Sequence, residues 1–110
     1  MSRLITVAAA QLGPIEREES KTSVVKRMTD MMRHAHGRGA RLVVYPEMAL
    51  TTFFPRWYIE DEAELDAFYE TEMPSNETQP LFDLSKELGV GFYLGYSEMF
   101  FDDTGTKRRF

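Results

Sequence analysis

The sequence predicts an α/β fold organised on parallel strands, and three observations predict it. Short apolar runs at residues 4–10, 42–45 and 91–97 have strand length and composition. The segments between them, near residues 20–37 and 80–88, carry apolar residues at helical spacing. Strand, helix and strand in alternation make βαβ units, whose crossovers are right-handed. Length and composition agree: 110 residues, 43% hydrophobic and a net charge of −5 suit one small globular domain with limited burial per residue.

The first run, Leu4 to Ala10, is rich in small residues, which lets another layer approach closely. Gln11, Leu12, Gly13 and Pro14 end it with a turn signal. Gln11 could act chemically, but a polar residue leaving a strand is ordinary. In the first helix Val24, Val25, Met28, Met31, Met32 and Ala35 share a face, and the methionines read as core filling. Ser20 or Thr22 can cap its start, with Glu16, Glu18 and Glu19 near the amino end. Arg33, His34, His36 and Arg38 gather at the carboxyl end, and Gly37 or Gly39 supplies the cap. His34 and His36 stand two apart and do not face each other, so they complement the helix dipole rather than hold a metal.

The second strand, residues 42–45, reads as buried on both faces and is stopped by Pro46, which cannot donate to a ladder. Glu47 follows, just past the carboxyl end, where open α/β sheets bind ligands. Pattern alone leaves two readings of Glu47: a surface glutamate in an ordinary turn, or a general base desolvated by Tyr45, Phe53 and Phe54. Residues 48–57 are unusually apolar for a loop. They fold under the body, or they line a pocket or a subunit contact.

Residues 62–70 form a short acidic helix in this reading, with Leu65, Phe68 and Tyr69 inward and a break at Met73-Pro74-Ser75-Asn76. Pro80 to Leu88 is a firmer helix. Leu81, Leu84 and Leu88 share a face, Pro80 suits the first turn, and Gly89 caps the end. Residues 91–97 are the third parallel strand, running on through Phe101, with glycines that permit close backbone approach. Asp103, Thr104 and Gly105 signal a hairpin, and residues 107–110 begin the returning strand.

Several function classes are excluded or disfavoured. There is no cysteine, hence no disulfide, zinc–thiolate site or thiol nucleophile within these residues. No glycine-rich phosphate loop and no serine–histidine–aspartate set is present. From Trp57 to Ser85 there is no Lys or Arg, while nine acids fall there. That acidity argues against nucleic acid, and the run reads as a solvated surface. It has no glycine for a calcium loop. No cofactor and no metal are expected. With no signal-peptide core and no bilayer-length apolar run, a cytoplasmic protein without a membrane partner is expected.

Two longer strings carry a resemblance. The opening strand ending Ala8-Ala9-Ala10-Gln11, the helix leading to Gly39-Ala40, and Leu42-Val43-Val44-Tyr45-Pro46-Glu47 resemble the start of the nitrilase superfamily of carbon–nitrogen hydrolases. The string from Pro46 through Met48-Ala49-Leu50-Thr51-Thr52-Phe53-Phe54-Pro55-Arg56 to Trp57 is more specific. With Asp61 to Leu65 and Phe68 to Pro74, it is similar to the N-carbamoyl-D-amino acid hydrolase family.

The resemblance implies the N-terminal part of a four-layer αββα sandwich and a Glu-Lys-Cys catalytic set. Glu47 matches the general base, and Phe53, six positions on, matches a pocket-lining aromatic. The implied reaction is attack of the thiolate on a ureido carbonyl, with a lysine stabilising the oxyanion. Ammonia leaves, water opens the acyl-enzyme, and the carbamate yields carbon dioxide and a D-amino acid. The implied partner is a small N-carbamoyl amino acid or amide, and full-length members form homo-oligomers.

The sequence departs from the family in length and in its missing cysteine. Lys86 and Lys107 do not stand in the family's lysine motif. Residues 1–110 are therefore expected to be an incomplete hydrolase domain, inactive alone and marginal, aggregated or partner-dependent in isolation. The alternatives are another amidase of the superfamily, such as one acting on carbamoylputrescine, or a non-catalytic binding or assembly module.

Overall fold

The computed structural model describes residues 2–110. A long helix, α1 (Lys21–Gly37), follows the first strand, β1 (Val7–Ala9), and leads to the second, β2 (Leu42–Val44). The helix starts where Ser20 Oγ accepts the Ser23 amide at 3.1 Å. It stops where Gly39 takes φ 91°, a left-handed conformation that suits glycine. The Gly39 amide then donates to the His36 carbonyl and the Ala40 amide to that of Ala35, closing the last turn. Val24, Val25, Met28 and Met32 recur three or four apart and none exceeds 2% exposure. Met31 and Ala35, at the edge of that face, are half-buried.

The third strand, β3 (Gly91–Tyr93), completes a parallel sheet in the order β1-β2-β3. Register places Ala8, Val43 and Phe92 in one row, and Val7, Leu42 and Gly91 in the next. Because side chains alternate, the Val43 row faces the helices and its neighbours face away. Val43 is fully buried, whereas Val7 is 50% and Tyr93 63% exposed. The expectation that β2 is buried on both faces is thus corrected. Helices cover one face only, and Leu42 and Val44 on the other are half-buried. The second helix of that layer, α3 (Gln79–Leu88), lies beside α1 and buries Leu81 and Leu84, with Leu88 half-buried. Gly89 caps it at φ 66°.

Two strands are shorter than predicted. Leu4 and Ile5 have no neighbour to pair with and stay exposed, so β1 covers only what β2 can reach. The third strand stops at Tyr93 instead of Ser97. Tyr45 still donates to the Tyr93 carbonyl at 3.1 Å, but the next donor to that side, reaching the Gly95 carbonyl at 3.0 Å, is Ala49. The turn at residues 47–50 has displaced the ladder.

Residues 48–57 do both things their composition allows. Ala49, Leu50 and Phe54 are buried, while Phe53 and Trp57 line a cleft. Phe54 stacks on Phe68 at 4.8 Å and meets Tyr69 edge-on at 5.3 Å. The acidic helix, α2 (Glu62–Asp66), is half the predicted length. Asp61 caps it, but Phe68 and Tyr69 are drawn onto Phe54, and the next residue, Glu70, joins another strand. The Glu70 amide donates to Ser97 and its carbonyl accepts from Met99. Its carboxylate is buried, with Lys21 Nζ 2.8 Å from Oε1.

The chain closes with an antiparallel hairpin, β4 (Met99–Phe101) and β5 (Lys107–Arg109). The turn is organised one residue earlier than predicted. Asp102 Oδ1 accepts from the Thr104 and Thr106 amides, each at 2.9 Å, and Gly105 takes φ 79°. The fold is therefore mixed α/β, with one parallel and one antiparallel sheet. Among the described residues no helix is long and apolar enough to cross a membrane.

Candidate active site

The end of β2 determines where Glu47 lies. Tyr45 turns into the core, where its hydroxyl donates to the Met28 carbonyl at 2.7 Å and burial pushes the phenol's pKa up. Pro46 halts the ladder. Met48 then takes φ 49°, a left-handed conformation uncommon outside glycine and worth about 1–3 kcal/mol of strain. The strain sits in the turn that carries Glu47. Gly95 backs that turn: a Cβ there would lie 3.6 Å from the Glu47 Cα and 3.7 Å from the Met48 nitrogen. A methyl would fit, and a longer side chain would push the turn away.

Glu47 and Phe53 line one cleft of about 510 Å³ at the carboxyl end of the parallel strands. The loop after β1, from Leu12 to Glu18, forms a second wall, and Arg56 and Trp57 close a third. The structure thus brings the two candidate residues together. It corrects their surroundings. Glu47 is exposed, so the desolvation expected of it is absent. Tyr45 is in the core and Phe54 is stacked on Phe68, which leaves Phe53 as the aromatic of that trio in the cleft. Gln11 is exposed and outside the cleft lining. His34 and His36 are exposed on the last turn of α1, away from the cleft.

Arg27 was not apparent from the sequence as a site residue. From α1 it donates to the carbonyls of Leu12 and Pro14 and to both oxygens of Glu19, at 2.9 and 3.1 Å. It therefore holds the loop that forms the second wall. A single arginine within a helix gives no local signal of such a role. The third wall carries stacked charge: Arg17 Cζ lies 4.9 Å and Arg56 Cζ 5.5 Å from the Trp57 ring centroid. Arg17 is also paired with Glu64, while no carboxylate among the described residues pairs with Arg56.

The arrangement puts the Glu47 carboxylate in one cleft with the Phe53 ring, the Arg17 and Arg56 guanidiniums and the acids Glu16 and Glu18, and the cleft is sized for a small polar molecule. A carboxylate so placed can take and return a proton. No cysteine, histidine or lysine lines the cleft among the described residues. Comparison with protein-family models matches the carbon–nitrogen hydrolase model to residues 6–107, a span that includes the whole cleft and both strands behind it. This chain belongs to the carbon–nitrogen hydrolase family.

Proposed function

We propose that this cleft is the active-site cleft of a hydrolase of linear, non-peptide carbon–nitrogen bonds, with Glu47 as general base and Phe53 as a wall of the substrate pocket. The observation that carries the reading is their meeting in one cleft at the carboxyl ends of β1 and β2, within the span matched by the family. The substrate proposed is an N-carbamoyl-D-amino acid, on the strength of the string from Pro46 to Trp57. Glu47 would activate a cysteine thiol and later a water. No residue here is that cysteine, so the proposal concerns the base's side of the site. Exposure of Glu47 suits this reading. A carboxylate waiting for a nucleophile and a substrate to pack over it is solvated until they do.

The open sheet face supports a related proposal. Val7 and Tyr93 stand exposed on it, which fits residues 1–110 being the N-terminal part of a four-layer αββα domain whose second sheet would cover that face.

Residue-resolved NMR with N-carbamoyl-D-alanine tests the site. Shifts are expected at the amides of Glu47, Met48 and Phe53, and weaker ones in Glu47→Gln. Shifts confined to other surfaces would contradict the assignment. Saturation by carbamoylputrescine but not by the carbamoyl amino acid would transfer the substrate proposal to that amine. Ammonia release by these 110 residues above a Glu47→Ala control would contradict the need for an outside thiol.

A further inference from the structure

Helix α2 has five residues and buries none of them. A helix that short does not stand by propensity, and this one has no fully buried apolar residue to anchor it. It is gripped by charge from two sides. On one side Lys107 Nζ lies 2.6 Å from Asp66 Oδ2 and 2.8 Å from Glu62 Oε1. Arg109 Nη2 lies 2.7 Å from Asp66 Oδ1 and 3.2 Å from Glu62 Oε1. Each acid thus meets two of the three cations of β5, and the third, Arg108, pairs with Asp102. On the other side Glu64 pairs with Arg17, which lines the Glu47 cleft and lies over Trp57.

We infer that the β4–β5 hairpin positions the Trp57 wall of the Glu47 cleft through α2, by a relay of ion pairs from Lys107 and Arg109 to Asp66 and Glu62, and from Glu64 to Arg17. Isolated surface pairs contribute little, but here four groups share their contacts and three are largely covered. Side-chain exposure is 24% for Lys107, 29% for Arg109 and 21% for Asp66. Aromatic contacts run alongside: the Arg109 guanidinium lies over the Tyr69 ring, Cζ 5.8 Å from its centroid, and Tyr69 meets Phe54 next to Phe53. These five side chains and Arg17 are positioning residues, because only Arg17 touches the cleft. The functional meaning rests on the cleft being the active site. The test does not, because it reads Trp57, the one tryptophan of the chain.

The experiment is acrylamide quenching of Trp57 fluorescence at low salt and near 1 M sodium chloride, where screening shortens to about 3 Å. In the unaltered chain, high salt is expected to raise the quenching constant by about twofold with far-UV circular dichroism unchanged. Asp66→Asn and Lys107→Met are expected to show the raised value already at low salt, with Lys107→Arg keeping the native one. Glu64→Gln reproduces the effect, and Asp66→Asn adds little to it because both lie on one relay. A Trp57 response to Glu64→Gln but not to Asp66→Asn or Lys107→Met would overturn the hairpin's role. So would a salt-insensitive Trp57 in the unaltered chain, which needs no variant to fold. Failure of Glu47→Gln to alter ligand binding would undo the active-site reading and leave this relay standing.

Discussion

Met28 and Asp66 sit at the centres of two contrasting clusters. Around Met28 the contacts are apolar and the solvent is gone: Val24, Val25, Met32, Val43 and Leu81 are all at or below 2% exposure. Around Asp66 the contacts are ionic and the side chains keep a fifth or more of their surface in water. Burial of apolar surface is insensitive to salt and pH and makes a rigid platform. Ion pairs at the surface respond to both. The Glu47 cleft lies where the two regions meet. Its floor, at the end of β2, belongs to the first, and its Trp57 wall leads into the second. The packed side anchors the turn that carries Glu47, through the Ala49 amide on the Gly95 carbonyl, and the charged side holds the Trp57 wall.

The largest way to break this contrast is to empty the apolar cluster. Met28→Ala is expected to cost about 2–5 kcal/mol in urea unfolding, the range for truncating a buried long side chain. A loss under about 1 kcal/mol would mean that the packed region is not packed. Next comes the link between the regions. Glu70→Ala leaves Lys21 Nζ without its carboxylate at a site 5% exposed. The expected cost is on the order of 2 kcal/mol, below that of a fully buried pair because Lys21 keeps a fifth of its side chain in water.

Acid sharpens the contrast with a smaller, local effect. Hydrogen bonds from Lys107 hold the carboxyls of Glu62 and Asp66 below their ordinary range. Thr104, then the Thr106 amide, hold Asp102 at about 2. These folded-state values lie below the unfolded ones, so the stabilisation is complete above about pH 5 and lost as pH falls through the folded values. Protection of the hairpin amides is therefore expected to decline first at Arg108 and Phe110, which donate across the ladder, as Glu62 and Asp66 protonate. The Asp102 turn follows only near pH 2. Protection of α1 persists through the first of these steps. At the alkaline end the Asp66 contact raises Lys107, so the grip outlasts the ordinary lysine range. The smallest effect belongs to Glu47→Gln. An exposed turn residue is expected to change stability by no more than about 0.5 kcal/mol while altering ligand shifts in the cleft.

The packed region was legible in the sequence and the charged one was not, for a physical reason. Apolar period is a local signal, so Val24, Val25, Met28 and Met32 announced α1, and Pro46 announced the position of Glu47. The pairing of Lys107 with Asp66 spans 41 residues and that of Arg17 with Glu64 spans 47, and no local pattern encodes such partners. The acidic run reads as solvated surface because nothing local ties Glu62 and Asp66 to Lys107 and Arg109. Opposite charge at the two places was the available clue. Composition does not say how many faces of a strand are covered: β2 looks buried on both, yet helices cover only one. Phe53 was found by resemblance and not by period, since loop residues follow no repeat. The relation of Glu47 to Gly95 was half legible. The glycines suggested close approach but could not say to what.

Residue-resolved hydrogen exchange at low and at about 1 M salt tests the contrast most directly. The amides of Val25, Met28, Met32, Val43 and Leu84 should keep the same slow exchange at both salt concentrations. Those of Leu65, Asp66, Arg108 and Phe110 should exchange faster at high salt, with Trp57 following them. Uniform acceleration across both sets, or none in the second, would contradict a molecule held by apolar packing on one side of the Glu47 cleft and by charge on the other.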